Sequence, residues 1–240
     1  MNGSPLHIGM IVPSSNIAFE TELARLSIPA STAVFHMTRL KVTSISLQAG
    51  DTDQFALGPI LDAASLLADA RVNGCVWAGT AGSWLGLEHD LAISAALTKK
   101  TGIPATTSTL ALMAACQFLN VNRIILVTPY LANVVNQICT IYSLQGMEVI
   151  AERHLDISDN YQFGLVSKET IVSLICEANT LGADGVVVAC TNLHGASSAP
   201  QLRSRLGIPV IDSVAATIWH SIEMLNPGYG GTPEFPSQLM

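Results

Sequence analysis

GCVWAGT at residues 74–80 and GVVVACT at residues 185–191 are nearly the same stretch written twice, 111 residues apart. Each opens on glycine, runs through a few apolar residues and closes on a small residue followed by threonine. A short, continuously apolar run of this kind is the pattern of a strand buried on both faces, as in a parallel sheet. Working outward from it, the chain repeats itself on either side. IGMIVPSSN (8–16) pairs with IILVTPYLAN (124–133), an apolar strand ending at proline. TGIPATTS (101–108) pairs with LGIPVIDS (206–213), each followed by an alanine-rich helix. The three pairs keep one order at offsets of 116, 111 and 105 residues, which argues for two similar α/β lobes of about 110 residues each.

Around these anchors, strands are expected at 6–12, 33–38, 74–78, 123–128, 147–153, 185–189 and 208–211. Helices are expected near 16–26, 53–72, 84–99, 107–119, 130–145, 168–181, 197–205 and 213–225. Strand–helix alternation calls for parallel sheets with right-handed crossovers. The first lobe is read as residues 1–115 plus 213–240 and the second as 116–212, together one pseudo-symmetric unit. Helix 213–225 is expected to pack back on the first lobe, with an irregular tail from Asn226 onward. In open parallel sheets, ligands sit beyond the carboxyl ends of the strands. Two facing lobes therefore bring Pro13–Asn16, Gly79–Gly82, Pro129–Tyr130 and Cys190–His194 to the rim of one cleft.

The bulk composition narrows the function. Charged residues make up only 12% of the 240 and apolar ones 49%. Either a homo-oligomer interface or sheets buried on both faces accounts for that balance, and a homo-oligomer is expected. The net charge of −7, with no basic run interleaved with aromatics, argues against nucleic-acid binding. No apolar run reaches the roughly 18 residues that span a bilayer, and Met1–His7 lack the features of a signal peptide. The five cysteines are odd in number and scattered, which suits reduced thiols and a cytoplasmic location.

Cys190 ends the second copy of the repeated strand, and Gly79 stands at its mirror position in the first. Two thiols facing one carbon would make a two-base racemase. With glycine on one side, a single thiol remains, able to protonate a planar carbanion on one face or to act as a nucleophile. Ser14, Ser15 and Asn16 follow a strand and open a helix, so they can bind an anion, cap the helix, or both. Thr80, Ala81 and Gly82 could offer backbone N–H groups to an anion, and Tyr130 could donate to an oxyanion or simply pack. Thr191 and Asn192 follow the thiol. His194 could approach the cleft or serve as a cap. His36 and Arg39 read as structural, and Glu88-His89-Asp90 as a polar helix face. Cys75 lies within its strand, four residues before Gly79, and is expected to point elsewhere. The histidines form no HxH, HExxH or Cys/His cluster, so no metal and no cofactor are expected. GxGxxG, P-loop and GxSxG patterns are missing as well.

The blocks GMIVPSSNIAFETE (9–22), FHMTR (35–39), VTPYLANVVN (127–136), DISDN (156–160) and VVVACTNLHG (186–195) resemble the maleate cis-trans isomerase and arylmalonate decarboxylase branch of the aspartate/glutamate racemase superfamily. That resemblance implies two pseudo-symmetric Rossmann-like lobes, each with a mainly parallel four-stranded sheet flanked by helices, and an active site between them. It implies that Asn16 and Asn160 bind substrate carboxylates, that Tyr130 donates to a carboxylate or enediolate oxygen, and that Cys190 is the catalytic cysteine. The isomerases carry a further cysteine where this chain has Gly79. GTAGSW (79–84) is similar instead to the decarboxylases, which keep glycine there, although they usually have serine where this chain has Ala81 and lack the asparagine at Asn16. The chain thus resembles the isomerases in its carboxylate-binding loops and the decarboxylases in its thiol count. The expectation is cofactor-free decarboxylation of a malonate-like diacid held by Ser14, Asn16, Gly79, Thr80, Ala81, Tyr130, Asn160, Thr191 and Asn192. The alternatives are a maleate isomerase or a racemase of the aspartate, glutamate or hydantoin type, or a carboxylate-binding protein without turnover.

Overall fold

The computed structural model describes residues 4–178 and 182–228. The first half runs β1 (Leu6–Pro13), α1 (Phe19–Arg25), β2 (Ala33–Leu40), α2 (Ala49–Thr52), α3 (Leu57–Asp69), β3 (Gly74–Trp77), α4 (Gly82–Leu85), α5 (Leu87–Thr101), β4 (Ala105–Thr107) and α6 (Ser108–Phe118). The second half runs β5 (Arg123–Thr128), α7 (Ala132–Leu144), β6 (Glu148–His154), α8 (Asn160–Phe163), α9 (Lys168–Cys176), β7 (Gly185–Val188), α10 (Ala199–Leu206), β8 (Val210–Asp212) and α11 (Ser213–Leu225). Single 3₁₀ turns at Asp53–Phe55 and Ala196–Ser198 precede α3 and α10. The end of the helix expected at 168–181, beyond residue 178, and the irregular tail, beyond residue 228, lie outside the described residues.

Two four-stranded, all-parallel sheets result, in the orders β2-β1-β3-β4 and β6-β5-β7-β8. The orders match strand for strand, so the repeat is a repeat of topology. Buried side chains fill the central strands: β3 and β7 are buried along their whole length, as are the last six residues of β1 and the last five of β5. Each fully buried Val, Ile or Leu contributes about 1.5–3 kcal/mol, which is why these runs show no polar alternation.

The repeated GIP motif has a local physical cause. Gly102 and Gly207 end α5 and α10 in the left-handed conformation, at φ 71° and 73°, which glycine adopts without steric cost. The strand that follows is three residues long in both halves. Thr107 and Asp212 then cap α6 and α11, Thr107 accepting from Leu110 N–H and Asp212 from Val214 and Ala215 N–H. β4 was not among the seven strands read from the sequence. Its ATT lacks the apolar run of the others, and it is a strand because it pairs with β3.

Three expected helices are broken in the structure. The one at 53–72 starts only at Leu57, because the Pro59 ring would collide with the carbonyl four residues back, and Ala56 is extended. The one at 84–99 splits at Gly86, whose φ is 103°. The helix at 16–26 begins at Phe19, because Ile17 and Ala18 belong to a loop capped by Asn16. α11 packs on α6, α1 and β3 of the first half, and Thr217 Oγ1 donates to Ser108 Oγ at 2.7 Å. α4 packs reciprocally on α7, with Ser83 and Tyr142 hydroxyls 3.0 Å apart. These exchanged helices bring the carboxyl ends of the two sheets together.

Candidate active site

Loops following β1, β3, β5 and β7 meet between the sheets. They enclose a cavity of about 20 Å³, lined by Pro13, Val42, Ile45, Phe55, Trp77, Gly79, Thr80, Ala81, Trp84, Tyr130, Asn160, Cys190 and Thr191. That volume holds about one water molecule. Cys190 stands two residues beyond the end of β7 and is 3% exposed. Asn192 N–H donates to its Sγ at 3.4 Å. Burial pushes the Cys190 thiol up to about 12, eased by the Tyr130 hydroxyl and the Asn192 N–H and reinforced by the nearby Asp212. The thiol is therefore a neutral S–H at working pH.

Tyr130 follows Pro129 at the end of β5, and its hydroxyl lies 3.0 Å from Thr80 Oγ1 across the site. Burial, and then the charge that Cys190 can carry, hold the phenol well above its ordinary range, so it stays a donor. The ring is fixed edge-on against Trp84 at 5.0 Å and Phe163 at 5.5 Å between centroids. Phe55 continues this aromatic wall, 5.9 Å from Trp84 and 6.4 Å from Trp77.

Gly79 is the mirror of Cys190, and Trp77 covers it. A β-carbon built on Gly79 would lie 2.4 Å from Cζ2 and 2.9 Å from Nε1 of the Trp77 indole. Trp77 is the last residue of β3, and its indole lies against Gly79 two residues further on, where the chain has left the strand. The mirror position is thus occupied by an aromatic ring belonging to the preceding strand.

Behind the cavity wall, several of the residues expected to touch substrate hold the loops to one another. Asn16 Oδ1 accepts from Ala18 and Phe19 N–H, and its Nδ2 donates to Thr191 Oγ1 at 3.2 Å. Thr191 in turn donates to Ala78 O at 3.0 Å, which ties the end of β7 to the end of β3. Asn192 accepts from Ile17 and Ala18 N–H and donates to Asn160 O. Ser14 and Ser15 donate to Val42 O. Asn160 both lines the cavity and donates to Ser15 Oγ at 2.7 Å. Arg39 supports the first loop by donating to Pro13 O and Asn16 O. In this closed arrangement Ser14, Asn16 and Asn192 are not part of the cavity lining. Gly79, Thr80, Ala81, Tyr130, Asn160, Thr191 and Cys190 are.

Here one reading left open is decided and another is corrected. His194 does not face the cavity: its ring nitrogens meet Glu22 Oε1 and Gly164 O, both at 3.1 Å. Glu88-His89-Asp90 is not a wholly polar face, since Asp90 is fully buried and accepts from Thr107 Oγ1 at 2.5 Å. Cys75 is buried in β3 between Gly9 and Ala105, away from the cavity lining, as the spacing implied. Sequence reasoning passed over Trp77 and Trp84 as lining residues; only the place of Trp77, two residues before Gly79, signalled either of them.

The loops that follow the edge strands β2 and β6 close over this cavity. Ser44 and Asp159 form an isolated antiparallel bridge, with Ile45 N–H donating to Ser158 O at 2.8 Å and Asn160 N–H to Thr43 O at 3.0 Å. Among the described residues, no group of three or more His, Cys, Asp or Glu is placed to hold a metal ion, and no helix is long and apolar enough to cross a membrane.

Comparison with known proteins places this geometry. The family model described as arylmalonate decarboxylase matches residues 8–232. A maleate isomerase of Geobacillus stearothermophilus is 27% identical over 231 residues, covering 91% of each chain. An arylmalonate decarboxylase of Bordetella bronchiseptica is 26% identical over 234 residues, covering 93% of this chain and 94% of that one. The crystal structure of a maleate isomerase variant from Pseudomonas putida S16 with maleate is similar at a TM-score of 0.85, with 25% identity over 93% of each chain.

Proposed function

The chain belongs to the arylmalonate decarboxylase family, in the branch of the aspartate/glutamate racemase superfamily that also holds maleate isomerases, and on that premise we propose that it is a cofactor-independent decarboxylase of a malonate-like dicarboxylate. The observation that carries this reading is the asymmetry of the two mirror positions. One holds the Cys190 thiol; the other is glycine under the Trp77 indole. Covalent addition to a double bond, or racemisation by two bases, calls for a second reactive group on that side. Decarboxylation needs only one proton donor.

In the proposed reaction the hydroxyls of Thr80 and Tyr130 hold the carboxylate that remains. The other carboxylate faces the apolar wall of Val42, Ile45 and Phe55, where desolvation favours the neutral product. The carbon–carbon bond breaks, CO₂ leaves, and the electron pair stays on the α-carbon, spreading into the retained carboxylate as an enediolate. The two hydroxyls stabilise that developing charge. Cys190 then gives its S–H proton to one face of the planar carbon, forming a C–H bond and a thiolate that regains a proton from water. The elevated Cys190 pKa supports this role, because a thiol kept protonated is ready as an acid. A nucleophilic thiolate calls for the opposite shift.

The test is proton NMR of the enzyme in D₂O with phenylmalonate and, separately, with maleate. An α-deuterated monoacid from phenylmalonate is expected, with turnover falling about 10²–10⁴-fold in Cys190→Ala. Fumarate from maleate would instead establish the isomerase. Full turnover in Cys190→Ala would remove the thiol from the mechanism.

A further inference from the structure

Trp77 is fully buried and Trp84 is 3% exposed, and both line the cavity beside Cys190. Neither indole N–H has a hydrogen-bond partner among the described residues. A buried donor without a partner has lost its bonds to water with nothing in return, and tryptophan usually places its N–H where an acceptor can meet it. The Trp77 donor is also located: Nε1 lies 2.9 Å from where a β-carbon on Gly79 would stand. Gly79 faces the cavity opposite the thiol and immediately precedes Thr80, whose hydroxyl pairs with Tyr130.

We propose that Trp77 is a substrate-binding donor, its indole N–H completing with Thr80 and Tyr130 the cradle for the carboxylate that is retained as an enediolate. This rests on the decarboxylase reading above and adds a residue to it. The indole is suited to the task in three ways. It is a donor only, so it can meet an anion but cannot take a proton from one. It carries no charge to be desolvated when the site closes. It is fixed by the strand rather than by a loop, so it keeps its place while the substrate loses CO₂. Trp77 also fills the space a second thiol would need, so one residue both excludes two-sided acid/base chemistry and stabilises the intermediate of the one-sided reaction.

The chain has three tryptophans, so its indole N–H signals are few enough to follow singly. Phenylmalonate is titrated into ¹⁵N-tryptophan-labelled Cys190→Ala protein, with the Trp77 and Trp84 signals assigned from Trp77→Phe and Trp84→Phe. The expected result is a saturating downfield shift of the Trp77 indole proton. In protein retaining Cys190, Trp77→Phe is expected to lower kcat/KM about 10- to 100-fold, as for a lost hydrogen bond to a charged group. Thermal melting run alongside separates this from unfolding, and the titration keeps Trp77 in place, so it does not depend on that variant's fold. Phenylmalonate binding with an unmoved Trp77 signal, or kcat/KM within twofold in a folded Trp77→Phe, would overturn the role of Trp77 and leave the decarboxylase intact. Failure of phenylmalonate and malonate alike to bind or turn over would overturn the decarboxylase reading itself, and the role of Trp77 with it.

Discussion

Cys190 draws its proposed chemistry from where it is buried. Among the described residues no cation is placed to favour a thiolate; burial and Asp212 keep the proton on sulfur, and the Tyr130 and Asn192 donors only moderate that. The sign of the pH dependence follows. A raised pKa means that the active, protonated form persists as pH rises through the ordinary thiol range near 8.5. Profiles of kcat/KM against pH are therefore expected to stay level from about pH 7 to 10, with any alkaline limb beyond. A thiolate-dependent reaction would instead rise across that interval, and a fall centred near 8.5 would mean the thiol is more exposed in solution than here. The identity of Cys190 as the reactive candidate was legible in the sequence, from its mirror position in the repeat. The pKa was not, because it depends on what surrounds the sulfur.

Helix starts and strand ends do a second job in this fold. The loop leading into α1, the loop after β7 and the start of α8 are held together by one side chain, Asn192, whose amide meets Ile17, Ala18 and Asn160. A buried amide making that many contacts leaves several groups unsatisfied when removed. Asn192→Ala is expected to lower unfolding stability by about 2–3 kcal/mol, measured by urea denaturation with an unchanged m-value. A loss below about 0.5 kcal/mol would show that these loops are held by other means. The sequence marked Asn192 as a rim residue on the strength of its neighbour Cys190. What it binds is a strand-to-helix joint contributed by residues 175 positions away, a pairing with no local signature. Glu22 is a parallel case: fully buried, it accepts from Ser197 N–H and Arg25 and meets His194, yet the sequence offers it only as one more acidic residue of a short helix.

At the scale of the whole molecule, the space between the two sheets is narrow. A cavity of about 20 Å³ is far smaller than a dicarboxylate needs, so substrate entry requires the loops at residues 41–48 and 155–160 to part. Their joint is light: one isolated bridge made by two backbone hydrogen bonds, against the continuous ladders of the sheets. Local opening of such joints takes less free energy than global unfolding. Hydrogen exchange is expected to find the amides of Ile45 and Asn160 faster than those of β5, and slowed when phenylmalonate occupies Cys190→Ala protein. Equal protection of Ile45 and β5 would mean that substrate enters by another route.

The architecture was legible in the order of residues alone. Buried parallel strands must be apolar throughout, glycine must stop a helix in the left-handed conformation, and a duplicated order of such signals can only be two copies of one topology. The order of residues also determined that one mirror position carries a thiol and the other glycine. Tertiary structure alone decided what stands at the glycine and which rim residues face the cavity. β4 exists through its pairing with β3, Asn16 and Asn192 turn from the cavity to clasp the two halves, and Trp77 reaches over Gly79. Each of those outcomes depends on contacts between residues far apart in the chain, or on the direction a side chain takes once its strand is buried, and neither is written in local sequence.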